Sequence, residues 1–190
     1  MLSCRHIQKS FEGRLVLEDV TFDIPEGAVR CLMGPSGSGK TTLFRILLGL
    51  ERPDGGRVEG LPEKGFSAVF QENRLLEHLT PVENLKVVCR GRFDGRKAEE
   101  ALENVLPADC LHQPVSELSG GMKRRVAIVR AMAADSGVIV MDEPFTGLDE
   151  ELKHRVIAYI LREKGDRTLL LATHQEEDIK LLGAEVLTIR

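Results

Sequence analysis

The sequence predicts an α/β fold with a mostly parallel sheet, and three observations predict it. The last third of the 190-residue chain alternates helix-like with strand-like segments. One of those strands, GVIVM at 137–141, is apolar throughout, as a strand covered on both faces must be. A glycine-rich stretch, GPSGSGKTT at 34–42, lies between an apolar strand-like run and a helix-like run.

The elements follow in order. LSCRHIQKSF (2–11), VTFDIP (20–25) and AVRCLM (28–33) read as strands, separated by the turn-rich EGR and PEG. TLFRILLGL (42–50) has apolar residues at helical spacing and ends at Gly49, closed off by ERPDGG. RVEG (57–60) and FSAVF (66–70) read as short strands. From Glu72 to Glu117 the chain turns polar and amphipathic. TPVENLKVVCR (80–90) and RKAEEALENVL (96–106) predict a helical insertion. Then come helix 119–134, strand 137–141, helix 150–165, strand TLLLAT (168–173), helix 176–183 and strand AEVLTIR (184–190).

Composition narrows the function. Apolar residues are 42%, enough for a packed core. With 26 basic and 30 acidic side chains the net charge is −4, which disfavours nucleic acid as a partner. The four cysteines are scattered without a CxxC pair and read as reduced thiols of a cytoplasmic protein. MLSCRHIQKSFEG has no apolar core of signal-peptide length, and no run reaches the roughly 20 apolar residues of a membrane span. A membrane role would therefore run through a partner.

The stretch 34–42 carries the first chemistry. Gly34, Gly39, Lys40 and Thr41 fit G-x-x-x-x-G-K-[ST], the phosphate-binding P-loop. Its residues, Gly34, Pro35, Ser36, Gly37, Ser38, Gly39, Lys40, Thr41 and Thr42, let backbone N–H groups approach an anion at the positive end of a helix. Lys40 would reach the β- and γ-phosphates and Thr41 would hold Mg²⁺. A second magnesium partner is needed, and GVIVMDE supplies Asp142 at a strand end, where ligands bind in such sheets. Glu143, one residue on, is placed to polarise an attacking water as general base. Ser119, Gly120 and Gly121 open a long helix that could receive an anion, although on their own a plain serine N-cap is the better explanation.

LSGGM at 118–122 resembles the signature motif of ABC-type ATPases. Together with GPSGSGKTT and VIVMDEP, in that order along the chain, it makes the whole sequence resemble the nucleotide-binding subunit of an ABC transporter. The resemblance implies a P-loop NTPase core with an N-terminal antiparallel β subdomain and a helical insertion. It implies one domain, 1–190, in which 1–71 and 118–190 form the core and 72–117 the insertion. It makes Gln71 the Q-loop glutamine that senses magnesium and attacking water. Asp149 becomes the D-loop aspartate and His174 the switch histidine on the γ-phosphate. Phe11 becomes an aromatic stacked on adenine, with Val16 beside it. Met122 departs from the commoner glutamine, and the chain reads as a minimal version of the family.

The resemblance also implies ATP and Mg²⁺ as cofactors, and ATP hydrolysis coupled to transport. Its partners would be transmembrane permease subunits and a second nucleotide-binding subunit, most simply an ATP-dependent homodimer at the cytoplasmic face of the membrane. In that dimer Ser119 and Gly121 of one copy would meet the phosphate held by Lys40 of the other. VFQENRLLEHLTPVENL resembles the same stretch in importers of nitrate, sulfonate and related small solutes, which would add an extracytoplasmic solute-binding protein. Solute and direction stay open. Two other readings compete: a soluble ATPase acting in translation or DNA repair, and a non-catalytic nucleotide-binding module. Lys123, Arg124 and Arg125 read either as a solvated face or as cations holding ATP across the dimer.

Overall fold

A computed structural model of the chain describes residues 1–89, 91 and 93–189. The chain divides into two compact units, one of residues 1–66, 136–142 and 166–190, the other of residues 67–135 and 143–165. Residues 72–117, the expected insertion, all fall in the second unit, which is wider and also takes in the helices that follow them.

The first unit opens with a β-hairpin. β1 (Leu2–Phe11) pairs antiparallel with β2 (Arg14–Ile24), and Phe11 faces Arg14 across a two-residue turn. Glu12 and Gly13 both have positive φ, 50° and 78°, the conformation that matches the twist of a tight hairpin. The sequence predicted β2 only from Val20; it begins at Arg14, because the EGR turn continues directly into a paired strand. β4 (Gly55–Glu59) pairs antiparallel on the other side of β1.

β3 (Val29–Met33), β6 (Val138–Asp142), β7 (Thr168–Ala172) and β8 (Glu185–Thr188) run parallel, as expected, in the order β6-β7-β3-β8. Every residue of β6 and β7 is buried, which explains their apolar runs at 138–141 and 169–172. α1 (Lys40–Leu47) places Leu43, Phe44, Ile46 and Leu47 into a core shared with Leu2, Ile7, Leu17, Leu32, Val140 and Leu170. The helix starts earlier than its apolar pattern suggested and ends at Leu47. Gly49, with φ 69°, turns the chain out of it. α6 (Glu176–Leu182) also belongs to this unit.

The chain leaves the first unit within β5 (Phe66–Val69). In the second unit, α2 (Pro81–Lys86) starts with a reciprocal capping box between Thr80 and Glu83 and a proline in its first turn. It is shorter than the predicted 80–90, and Arg90 lies outside the described residues. Asp94 caps α3 (Gly95–Glu103) by accepting from Arg96 and Lys97. α4 (Gly120–Ala133) and α5 (Glu150–Lys164) complete the unit, with Leu85, Leu102, Val126, Ile128, Val156 and Ile160 buried. Among the described residues, no helix is long and apolar enough to cross a membrane.

Candidate functional site

Strand register puts three loops on one edge of the parallel sheet. Asp142 stands opposite Ala172, and Ala172 opposite Leu32. The chain therefore leaves β3 into residues 34–39, ends β6 at Asp142, and leaves β7 toward His174, all at carboxyl ends of neighbouring strands. In open parallel sheets that edge is where ligands bind.

The glycine loop has the shape an anion needs. Gly39, at the N-cap of α1, has φ 88°, and a Cβ there would stand 2.5 Å from Leu17 Cδ2 and 3.0 Å from the Val16 carbonyl oxygen. Val16 is thus packed against the loop. A Cβ on Gly34 would meet Ser38 Oγ at 2.5 Å and the Ile189 carbonyl oxygen at 2.8 Å. Both positions demand glycine. Among the described residues no side chain caps α1, and its first turn holds no acid, so its N–H groups form a positive end open to an anion. Ser38 Oγ is buried and makes no hydrogen bond among the described residues. Lys40 Nζ donates to the carbonyl oxygens of Gly34 at 2.6 Å and Pro35 at 3.0 Å, which folds the cation over the loop.

Thr41 Oγ1 donates to Asp142 Oδ2 at 2.7 Å. Asp142 is only 5% exposed, so an acid is buried beside a hydroxyl at the start of α1. This set of hard oxygen donors fits a small divalent cation. Phe11 stands exposed at the tip of the hairpin, 43% accessible, with Lys9 Nζ 5.0 Å from its ring centroid. His174 is exposed just beyond β7. Its turn is braced by Thr173 Oγ1, which donates to the buried Asp178 at 2.7 Å and accepts from the Gln175 N–H. The sequence reading did not single out that brace.

The remaining predicted residues lie in the second unit. Ser119 is the N-cap of α4, its Oγ accepting from Met122 N–H at 3.3 Å. Asp149 caps α5 through Leu152 N–H at 2.9 Å. Gly121 lies close to the loop before α5: a Cβ there would come within 3.3 Å of the Gly147 carbonyl oxygen. Glu143 sits at φ 49°, a strained conformation for a non-glycine residue and one that clusters at functional sites. Gln71 is exposed at the start of a loop.

The basic run after the signature is not a solvated face. Arg124 is 6% exposed, and its guanidinium donates to the carbonyl oxygens of Phe70 and, at 2.6 Å, Gln71. Arg125 donates to the Val105 and Gly121 carbonyls, and burial holds its pKa below the ordinary arginine value. Lys123 pairs with Glu77 at 3.1 Å. Arg130 donates to Arg74 and Asn73 carbonyls, and burial lowers its pKa as well. Sequence reasoning missed the three arginine roles because their acceptors are backbone atoms, which leave no mark in the sequence.

Comparison with known proteins bears on the fold and the family. The ABC transporter family model matches residues 17–146. The aliphatic sulfonates import ATP-binding protein SsuB 1 of Pseudomonas fluorescens is 38% identical over 190 residues, covering 99% of this chain and 73% of that protein. The sulfate/thiosulfate import ATP-binding protein CysA of Mesorhizobium japonicum is 34% identical over 205 residues, covering 97% of this chain and 59% of that protein. The chain thus spans about three fifths of the length of the curated sulfate importers it matches. Among solved structures, a dimeric post-hydrolysis state of the ATP-binding cassette MJ0796, bound to ADP and Pi, superposes with a TM-score of 0.86 at 27% identity. The match covers 100% of this chain and 94% of that one. A family model spanning residues 17–146, over a fold that superposes along the whole chain, means that the protein belongs to the ABC transporter family.

Proposed function

We propose that the chain binds ATP with Mg²⁺ and hydrolyses it to drive solute transport through separate membrane subunits. The hydrogen bond between Thr41 and Asp142 carries this reading, because it joins the glycine loop to the acid of the neighbouring strand end. Phosphate oxygens would take the α1 N–H groups and Lys40, whose ammonium already lies over the loop. Thr41 and Asp142 would hold the magnesium, joined by Gln71; once bound, the ion neutralises phosphate charge. Glu143 would polarise the attacking water, His174 would contact the γ-phosphate, and Phe11 would stack on adenine with Val16 beside it.

The relatives support an import role, since their names are those of sulfate, sulfonate and iron importers. We place the chain with permease subunits at the cytoplasmic face of the membrane, served by an extracytoplasmic solute-binding protein. Its second cassette would be another copy, since MJ0796 is dimeric. Ser119, Gly120, Gly121 and Asp149 of one copy would then complete the site of the other. The test is ATP turnover and equilibrium dialysis on the intact chain and on Lys40→Ala. Magnesium-dependent hydrolysis by the first, and loss of ATP binding by the second, is the expected result. No turnover with or without membrane partners, or unchanged affinity in Lys40→Ala, would overturn the reading.

A further inference from the structure

We infer that Arg124 is a positioning residue for Gln71, tying the signature helix to the Gln71 loop; this rests on the ATPase reading above. The loop after β5 has neither helical nor strand hydrogen bonding at residues 70–74. Its carbonyl groups are therefore left to water or to side-chain donors. α4 supplies them. Arg124 spans two consecutive carbonyls, those of Phe70 and Gln71. Arg130 holds those of Asn73, at 3.3 Å, and Arg74, at 2.9 Å. Arg74 sits at φ 46° and lays its guanidinium 3.8 Å from the centre of the Phe70 ring, closing the loop on itself.

A guanidinium fork is the group suited to two adjacent carbonyls. A lysine ammonium is a single point charge and has no such planar fork. The Cα–Cβ direction of Gln71, from which its exposed side chain reaches out, is set by its backbone, and Arg124 holds that backbone at its carbonyl. Arg124 lies five residues beyond Ser119, the cap of the same helix. Arg124 thus joins the helix that Ser119 caps, where a second copy would engage, to the backbone of Gln71. If Arg124 served stability alone, its loss would lower the melting temperature and leave the chemistry unchanged.

The experiment compares the intact chain with Arg124→Lys, and with Arg124→Gln should the lysine variant fail to fold. Hydrogen–deuterium exchange of peptides covering residues 70–76 should rise in the variant whether or not the chain turns over ATP. Maximal turnover should fall about tenfold, the scale of losing one charge-assisted hydrogen bond. ATP affinity by equilibrium dialysis should stay within about twofold, and in a Gln71→Ala background the Arg124 change should add nothing, as expected for residues acting in one chain of contacts. Unchanged exchange over 70–76 overturns the inference. So does a turnover loss of equal size with and without Gln71. Absence of turnover in the unaltered chain would sink the ATPase reading instead, and the exchange measurement would still decide whether Arg124 positions the loop.

Discussion

Thr41 Oγ1 and Asp142 Oδ2 meet at 2.7 Å across 101 positions of sequence. The hydroxyl opens α1 and the carboxylate ends β6, so the bond forms only once the sheet has brought the two strand ends to one edge. Asp142→Asn keeps an acceptor for Thr41 and removes the charge. The variant should bind ATP normally in EDTA. It should need on the order of 10- to 100-fold more Mg²⁺ for half-maximal turnover, the range seen when a metal site loses a supporting group. An unchanged magnesium titration would remove Asp142 from the metal site.

Glu143 follows that acid in a left-handed conformation that few side chains adopt. Glu143→Gln preserves size and backbone but cannot take a proton. Hydrolysis should fall about 10²- to 10⁴-fold, the contribution of a general base. ATP binding should persist, and gel filtration with ATP should show the dimer accumulating. Turnover at the normal rate would show that another group is the base.

Gly39 has no room for a methyl group, since a Cβ would stand 2.5 Å from Leu17 Cδ2 at φ 88°. Gly39→Ala should therefore cost about 1–3 kcal/mol from overpacking and strain. It should also distort the phosphate loop enough to weaken ATP binding more than its stability loss explains. Thermal melts alongside dialysis separate the two effects, and a variant with normal affinity would contradict the cradle.

Sharing of sites between two copies predicts complementation. Ser119→Arg chains and Lys40→Ala chains should each be inactive alone. Mixed, they form heterodimers in which one site carries both lesions and the other neither, so partial activity should return. A mixture as dead as its components would argue that each chain works by itself.

Much of the site was legible because its chemistry sits in consecutive residues. A glycine loop ending in Lys40 and Thr41 needs its spacing intact to work at all, and Asp142 with Glu143 ends a strand that announces itself by being apolar throughout. The helical cap at Ser119 was equally local. β2 was misread as short because LVLED at 15–19 carries no strong strand pattern and gains its structure from pairing with β1. The brace from Thr173 to Asp178 escaped notice because a threonine and an aspartate five residues apart are unremarkable until a turn joins them.

By itself, the order of residues determined the phosphate loop, the buried strands and the family, because those depend on short-range spacing and on apolar content. Only the tertiary structure decided that Arg124 belongs to the Gln71 loop rather than to solvent or to a nucleotide, and that Arg130 holds the same loop. The reason is physical. A guanidinium goes wherever the fold leaves carbonyl oxygens without donors, and which carbonyls those are is fixed by how the chain packs more than 50 positions away.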